Sequence, residues 1–420
     1  MADIAEFNDW IQKGLGRAVV YLKEHDPSPF RQAVLHACTH DTHDLATGGN
    51  RAEYCRDLML SIGDEQFFRA GIFQALTVEP ENPKEFDLGQ TIELAGSFAQ
   101  NGDSEIKHAM YAAIQRAGFA REGCCVSDLI KLDGIDALLF AADLFPATID
   151  DDDLWQVGHL VSSLQERDGT ESANEAIERA SRESPRLRRM LEAYEGSKLK
   201  HSREGIWPLT RPDYPELKRL IVEHGVMGYL SAWGRSASAE ELEMAADDLI
   251  NETDPGRIFA YLSIFREQRF PRPANRLLEL ADHSEIRIAR HAVGVLSQLK
   301  SPAIRDRALT YLALPARAGD AVDLLVSNYE TGDFQLIEAK LREPISAEDL
   351  HHFGMGIRDL LGAHCPKEAE QSLLLLYENG NCSQCRHRFV ERLIELHGLP
   401  DWIRSECRFD AWADTRKLVQ

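Results

Sequence analysis

The chain contains 420 residues, with 47 Lys and Arg against 69 Asp and Glu, and its formal net charge is −22 at neutral pH. Such an acidic protein repels the phosphates of nucleic acids and of anionic membranes, which argues against both as general partners. No uncharged apolar stretch approaches the roughly 18 residues that a membrane-spanning helix needs. The N-terminus also lacks the basic and apolar regions of a secretory signal, and we predict a cytoplasmic protein without membrane contact.

The chain has 8 cysteines, which are spread along it rather than concentrated in one small domain. This distribution fits reduced thiols better than the disulfide framework of a secreted protein. Clusters of cysteines are therefore candidates for metal or redox chemistry.

Apolar residues recur with helical period from the N-terminus onward, beginning with a predicted helix over about residues 5–24. The next predicted helix leads into three histidines that share one helix face, His36, His40 and His43. Imidazole side chains at this spacing would suit zinc. Histidines in the last turn of a helix are also favoured by the negative end of the helix dipole. The sequence leaves both interpretations open.

Four consecutive aspartates, Asp150 to Asp153, precede the apolar residues of a later predicted helix. Their carboxylates could hold a hard cation such as calcium or magnesium. The spacing of a calcium loop is missing, however, and carboxylates at a helix start accept hydrogen bonds from its free N–H groups. We therefore predict that this run caps a helix.

A segment rich in proline and glycine, residues 196–216, shows no helical period and is predicted to connect two helical stacks. The N-terminal stack then covers residues 1–195, and the C-terminal stack covers residues 217–420. The end of the chain is predicted to cap the second stack, because a terminal repeat otherwise leaves its outer apolar face in water. Trp402 is expected to be buried in this cap.

The stretch from Arg276 to Leu314 contains two helix starts that resemble each other, at Ser284–Arg287 and at Ser301–Arg305. Both run from a polar turn through Ile-Arg into small apolar residues, and Ser104–Lys107 begins a helix in a similar way. The stretch resembles a HEAT repeat, in which an Ile-Arg or Val-Arg pair begins the second helix. The resemblance implies an all-α fold, an α-solenoid (superhelix) of stacked antiparallel HEAT/ARM-like helix pairs.

Four further segments resemble a family of uncharacterised bacterial HEAT-like repeat proteins. They are Gly49–Tyr54, Gly63–Phe68, Leu132–Ile135 and Cys382–Arg386. The resemblance spans most of the chain. It implies a HEAT-like fold for both stacks and supplies no catalytic residues.

Cys382 and Cys385 form a C-x-x-C motif at the start of a predicted helix, which brings both sulfurs to one point. The motif permits a zinc site, a redox-active dithiol or a disulfide, and the alternative is two thiols packed in a helical turn. A structural zinc site would need two more ligands. The candidates are His364, Cys365, His387, His397 and Cys407. We predict no cofactor, with zinc at Cys382 and Cys385 as the alternative that the sequence leaves open.

The sequence contains none of the phosphate-binding, dinucleotide-binding, HExxH or GxSxG motifs of common enzymes. We predict a non-catalytic scaffold or adaptor that binds another protein on the concave face of the solenoid. Arg290, His291 and Arg307 are the predicted partner-binding residues, on a positive strip of an acidic body. The arginines of the two helix starts, Arg287 and Arg305, are instead expected to pair with acids of neighbouring repeats.

Two other classes of function compete with this prediction. One is a HEAT-like DNA glycosylase or another nucleic-acid-binding solenoid, which would need a continuous basic groove. The other is a metal- or redox-responsive adaptor that uses Cys382 and Cys385.

Overall fold

The structure is a computed structural model, and the residues it describes are almost entirely helical. They are residues 2–40, 42, 51–78, 87–119, 125–148, 150–203, 211–225, 228–364, 366–396 and 398–420. Within these ranges there is no strand, so the predicted all-α class is confirmed for them. No helix of the same ranges combines the length and apolarity needed to cross a bilayer.

The chain divides into two compact units, and its C-terminal residues belong to the first of them. The N-terminal unit comprises Met1–Arg203 and Pro400–Gln420, and the C-terminal unit comprises Glu204–Leu399. In the N-terminal unit the helix Pro185–Arg203 extends past residue 196, the predicted start of the connector.

The helices of the N-terminal unit are α1 (Ile4–Lys13), α2 (Arg17–Glu24), α3 (Arg31–Thr39), α4 (Arg51–Ile62), α5 (Glu65–Thr77), α6 (Asp87–Gln100), α7 (Ser104–Ala117), α8 (Val126–Asp133), α9 (Ile135–Leu144), α10 (Asp151–Asp168), α11 (Thr170–Glu183) and α12 (Pro185–Arg203). The helices of the C-terminal unit are α13 (Tyr214–His224), α14 (Leu230–Ser236), α15 (Ala239–Asn251), α16 (Pro255–Ile264), α17 (Asn275–Leu280), α18 (Ile286–Leu296), α19 (Pro302–Leu312), α20 (Ala318–Leu325), α21 (Asp333–Leu341), α22 (Ala347–His364), α23 (Glu370–Asn379) and α24 (Ser383–Leu396). Two short helices complete the N-terminal unit, α25 (Asp401–Cys407) and α26 (Ala413–Lys417).

Aspartate and serine side chains begin many of these helices, because a side-chain oxygen there satisfies a backbone N–H that has no partner within the helix. Asp64 accepts from the N–H of Phe67 at the start of α5, and Asp103 does the same for Ile106 in α7. Asp150 and Asp153 form a reciprocal capping box at the start of α10. The capping role predicted for the aspartate run is therefore confirmed.

Alternate helices of the N-terminal unit contact one another in a continuous row. Helix α2 contacts α4, and the row continues through α6, α8 and α10 to α12. The intervening helices α3, α5 and α7 also contact one another in sequence. The helices of each row thus pack against the next helix but one, and most of them also contact a neighbour in the chain.

The C-terminal unit repeats this order of contacts. Helices α14, α16, α18, α20, α22 and α24 each contact the next member of the row. In helix α18 the buried apolar residues include Ile288, Ala289 and Val293, whereas Ile286, the isoleucine of the Ile-Arg helix start, is 54 % exposed. The buried apolar face of this helix therefore does not include that isoleucine.

Ion pairs link successive helices along both units. Arg69 of α5 pairs with Asp103 at the start of α7 at 2.6 Å, and Lys107 of α7 pairs with Asp133 of α8 at 2.8 Å. Arg305 of α19 makes two 2.8 Å bonds to the buried carboxylate of Asp333. Arg287, in contrast, pairs with Glu285 only two residues away. The expected pairing between neighbouring repeats therefore holds for Arg305 and not for Arg287.

The C-terminal segment packs against the first helices of the chain, although it was predicted to cap the second stack. Arg17 pairs with Glu406 at 2.7 Å, and Arg416 pairs with Asp57 at 2.8 Å. Trp402 is 41 % exposed, so the prediction that it is buried is wrong. Its ring lies under the Arg17 guanidinium at 5.4 Å, and this contact leaves part of the ring in solvent.

Candidate metal centre

The two cysteines of the C-x-x-C motif lie at the N-terminus of α24. Cys382 immediately precedes the helix, and its carbonyl accepts a 3.0 Å bond from the N–H of Arg386. Both cysteines are buried, at 6 % and 9 % exposure. Because a residue at a helix start and the residue three positions later lie on the same side, both sulfurs reach one point.

A third donor comes from α22, the preceding member of the row. Nδ1 of His351 lies 3.8 Å from Sγ of Cys385. The donor atoms of His351, Cys382 and Cys385 all lie within 4.8 Å of one another. The contact between α22 and α24 therefore completes a cluster of two thiols and one imidazole.

The environment favours a thiolate on Cys382. A hydrogen bond from the thiol of Cys385 is the main cause that lowers the pKa of Cys382 to about 5, and the backbone N–H groups of Cys385 and Gln384 contribute. The same hydrogen bond, together with burial, raises the pKa of Cys385 well above its usual range. Without a metal, the pair therefore holds one proton between the two sulfurs at neutral pH.

The cluster has the donor set of a zinc site, and one of its donor separations matches the spacing of ligands in such a site. Zinc binds thiolate at about 2.3 Å and imidazole at about 2.0 Å, so tetrahedral ligand atoms lie about 3.5 to 3.8 Å apart. The measured separation of 3.8 Å between His351 and Cys385 is close to this range. Three protein ligands leave the fourth position of a tetrahedral ion for another donor.

The histidine that lies beside the two cysteines is His351, which was not among the ligand candidates named from the sequence. His364 bonds the carbonyl of Val326 at 2.7 Å and stacks on Tyr329, and His387 lies 3.4 Å from Glu391. Cys407 belongs to the other compact unit. The two remaining candidates, Cys365 and His397, lie outside the described residues.

Two further predicted sites can be placed in the structure. His36 and His40 stack at 4.2 Å between ring centroids, and Nδ1 of His40 lies 3.2 Å from the carbonyl of His36. This carbonyl contact is the one expected of histidines in a last helical turn, and His43 lies outside the described residues.

The predicted partner strip is only partly exposed. Arg307 pairs with Asp282, and His291 packs on Phe259 with 4.3 Å between ring centroids. Burial lowers the pKa of His291. Arg290 is exposed, whereas His291 and Arg307 are only partly exposed.

No family model, no curated protein and no solved structure matches this chain. The fold and the cluster define an all-helical protein that carries a group of thiolate and imidazole donors.

Proposed function

We propose that this protein is a non-catalytic, HEAT-like helical-repeat adaptor whose C-terminal unit binds zinc through His351, Cys382 and Cys385. The observation that carries the proposal is the convergence of these three donor atoms within 4.8 Å at the contact of two helices in one row. The zinc ion has a structural role in this proposal, because it joins α22 to α24.

Two features support a solenoid of stacked helix pairs. In each unit a row of alternate helices forms, in which each helix contacts the next member of the row. Stacked repeats have this order of contacts. Ion pairs such as Arg69 with Asp103 and Arg305 with Asp333 connect one helix pair to the following one. A repeat stack presents an extended surface of side chains, and such surfaces bind other proteins.

Zinc would strengthen the repeat stack locally. Helices α22 and α24 are separated in the chain by α23, so a metal that ligates both closes a loop of the polypeptide. Binding free energy for the folded site adds directly to the stability of the fold.

Metal content of the full-length protein tests the zinc site. The chain is purified under reducing conditions without added metal, and zinc per chain is measured for the wild type and for Cys382→Ser, Cys385→Ser and His351→Gln. We expect about one zinc per chain in the wild type and its loss in each variant. His364→Gln is the matched control, because this histidine lies on the same helix and bonds a carbonyl instead. A wild-type protein without zinc that also fails to bind added zinc would contradict the proposal.

Charge reversal tests the partner surface. Arg290→Glu should weaken capture of a partner from an extract of the native host, since Arg290 is an exposed cation on an acidic body. Arg342→Glu is the control, because it makes the same change of charge at an arginine that pairs with Glu338. Equal capture by both variants and the wild type would remove Arg290 from the partner surface.

The low pKa of Cys382 favours one second candidate, a redox-active dithiol. A thiolate is the nucleophile in thiol–disulfide exchange, and a neighbouring thiol such as Cys385 can act as the resolving group. The two functions differ in their response to oxidant. A dithiol switch forms a Cys382–Cys385 disulfide under mild oxidation, whereas zinc-ligated thiolates resist oxidation until the metal is removed.

A further inference from the structure

A second cluster of potential metal ligands lies where α22 contacts α20. Its histidine, His352, directly follows His351 of the thiolate cluster in the chain. Nε2 of His352 is 3.9 Å from Oδ1 of Asp320 and 3.7 Å from Oδ2 of Asp323. Both aspartates belong to α20, which precedes α22 in the row. The three donor atoms lie within 4.8 Å of one another.

Glycines on both helices hold these side chains in place. A Cβ atom at Gly319 would lie 2.5 Å from Nδ1 of His352, and one at Gly356 would lie 2.7 Å from Oδ1 of Asp323. The imidazole of α22 therefore rests on the backbone of α20, and the carboxylate of α20 rests on the backbone of α22. Since a side chain at either glycine would enter this space, the close approach of the helices fixes the cluster.

One oxygen of the cluster is buried without a hydrogen bond. Asp320 is 3 % exposed, and its Oδ2 accepts from Arg317. Within the described part of the chain its Oδ1, the oxygen that faces His352, accepts no hydrogen bond. A buried carboxylate oxygen without a hydrogen bond destabilises the fold, and a bound cation at this oxygen would remove that cost.

The distances fit a shared ligand better than direct hydrogen bonds. An N–H···O bond spans about 2.7 to 3.2 Å, and both contacts of His352 are longer. Two donors on one metal, each at about 2.1 Å, lie roughly 3.0 to 3.5 Å apart. A small inward movement of the side chains would bring all three donors to that spacing.

The charge of the cluster also suits a cation. Burial raises the pKa of the Asp323 carboxyl, which shows that its anionic form is poorly solvated there. Arg317 offsets the charge of Asp320, while the nearby Asp359 adds to the negative potential at Asp323. Arg290 is the opposing cation near His352.

We propose that Asp320, Asp323 and His352 form a second metal site, which binds a divalent cation of the Mn²⁺ type. Two carboxylates and one imidazole, without sulfur, are donors that suit Mn²⁺, whereas the thiolates of the first cluster select zinc. The site joins α20 to α22 as the zinc site joins α22 to α24. This inference rests on its own geometry and does not require zinc to bind at Cys382 and Cys385.

Titration with Mn²⁺ alone, followed by electron paramagnetic resonance of the free ion, tests the site. The full-length protein carries Cys382→Ser and Cys385→Ser, so that the thiolate cluster cannot contribute. We expect one Mn²⁺ per chain and an affinity that falls at least about tenfold in Asp323→Asn and in His352→Gln. Asp306→Asn is the control, because it removes an equal charge from an exposed carboxylate that is not among the three donors.

Absence of Mn²⁺ binding would overturn the inference, and so would an affinity that neither variant changes. Equal weakening by Asp306→Asn would assign the binding to the general acidity of the chain and would also overturn it. Melting temperatures measured without metal show whether each variant folds. If one variant is unfolded, the other decides, and the rise of the parent protein's melting temperature with Mn²⁺ gives an independent measure of binding.

Discussion

Nδ1 of His351 lies 3.8 Å from Sγ of Cys385, although a complete helix, α23, separates their helices in the chain. The contact exists because α22 and α24 are successive members of one row. It converts a local C-x-x-C motif into a donor group that spans two helices of the row. His352, the next residue of α22, faces α20 in the same way, so one helix contributes a histidine to each of its neighbours in the row.

The pKa of Cys382 leads to a prediction about pH. With a pKa of about 5, Cys382 is a thiolate at neutral pH and becomes protonated as the pH falls through that value. The ultraviolet absorbance of thiolate in the reduced, metal-free protein should therefore show a step near pH 5 that Cys382→Ser abolishes. Cys385→Ala should move the step to higher pH, because it removes the hydrogen bond that stabilises the thiolate. A titration without a step below pH 7 would contradict the assignment.

The arginines of the two similar helix starts should differ in their effect on stability. Arg305→Ala leaves the carboxylate of Asp333, which is 2 % exposed, without its main cation. We expect a loss of about 2 kcal/mol, below the value for a fully buried pair because Arg305 is partly exposed. Arg287→Ala removes an exposed side chain that pairs with Glu285 and lies over the Phe259 ring at 5.3 Å, and it should change unfolding by urea much less than Arg305→Ala does. Equal effects of the two variants would show that the pairing with Asp333 does not stabilise the repeat.

Two tryptophans provide a second matched comparison. Trp233 is fully buried, and its Nε1 donates to the carbonyl of Pro212 at 2.8 Å. Trp233→Ala should therefore cost about 3 to 5 kcal/mol. Trp402 is 41 % exposed and contacts Arg17, so Trp402→Ala should cost only about 1 kcal/mol. Thermal unfolding measures both, and a larger loss for Trp402 would contradict its placement.

Gly16 should be essential for the attachment of the C-terminal segment. A Cβ atom there would lie 1.8 Å from the carbonyl oxygen of Glu406. The atoms that it would meet belong to the backbone, which cannot move aside as a flexible side chain can. Gly16→Ala should lower stability by about 2 kcal/mol or more and expose residues 400–420 to proteolysis. Gly96→Ala is the control, because the nearest atom beyond its own helix, Cε of Met110, lies 4.0 Å away. That variant should gain about 0.5 to 1 kcal/mol from helix propensity.

The helices and their caps could be predicted because they depend on local sequence. Asp150 and the apolar residues after it define a helix start without reference to any distant part of the chain. The ligand His351 could not be predicted in this way, because only the packing of α22 on α24 brings it to Cys385. Gly354 and Gly356 lie within α22 and allow its close contacts. The adjacent histidines His351 and His352 were the available signal in the sequence.

The placement of the C-terminal segment shows the same limit. Its apolar residues predicted burial against some helix, but the identity of that helix depends on contacts between residues far apart in the chain. The salt bridge of Arg17 with Glu406 and the close approach of Gly16 place the segment beside α2. A sequence pattern reports that a face is apolar and does not report which surface covers it.

X-ray absorption at the zinc edge of the native, full-length protein tests the central proposal most directly. The geometry of His351, Cys382 and Cys385 predicts a first shell with two sulfur atoms at about 2.3 Å and an imidazole nitrogen at about 2.0 Å. His351→Gln, which lacks one of the three ligands, should retain no zinc after purification and should therefore give no zinc-edge signal. A first shell that contains only nitrogen and oxygen, or a protein that takes up no zinc, would contradict the account.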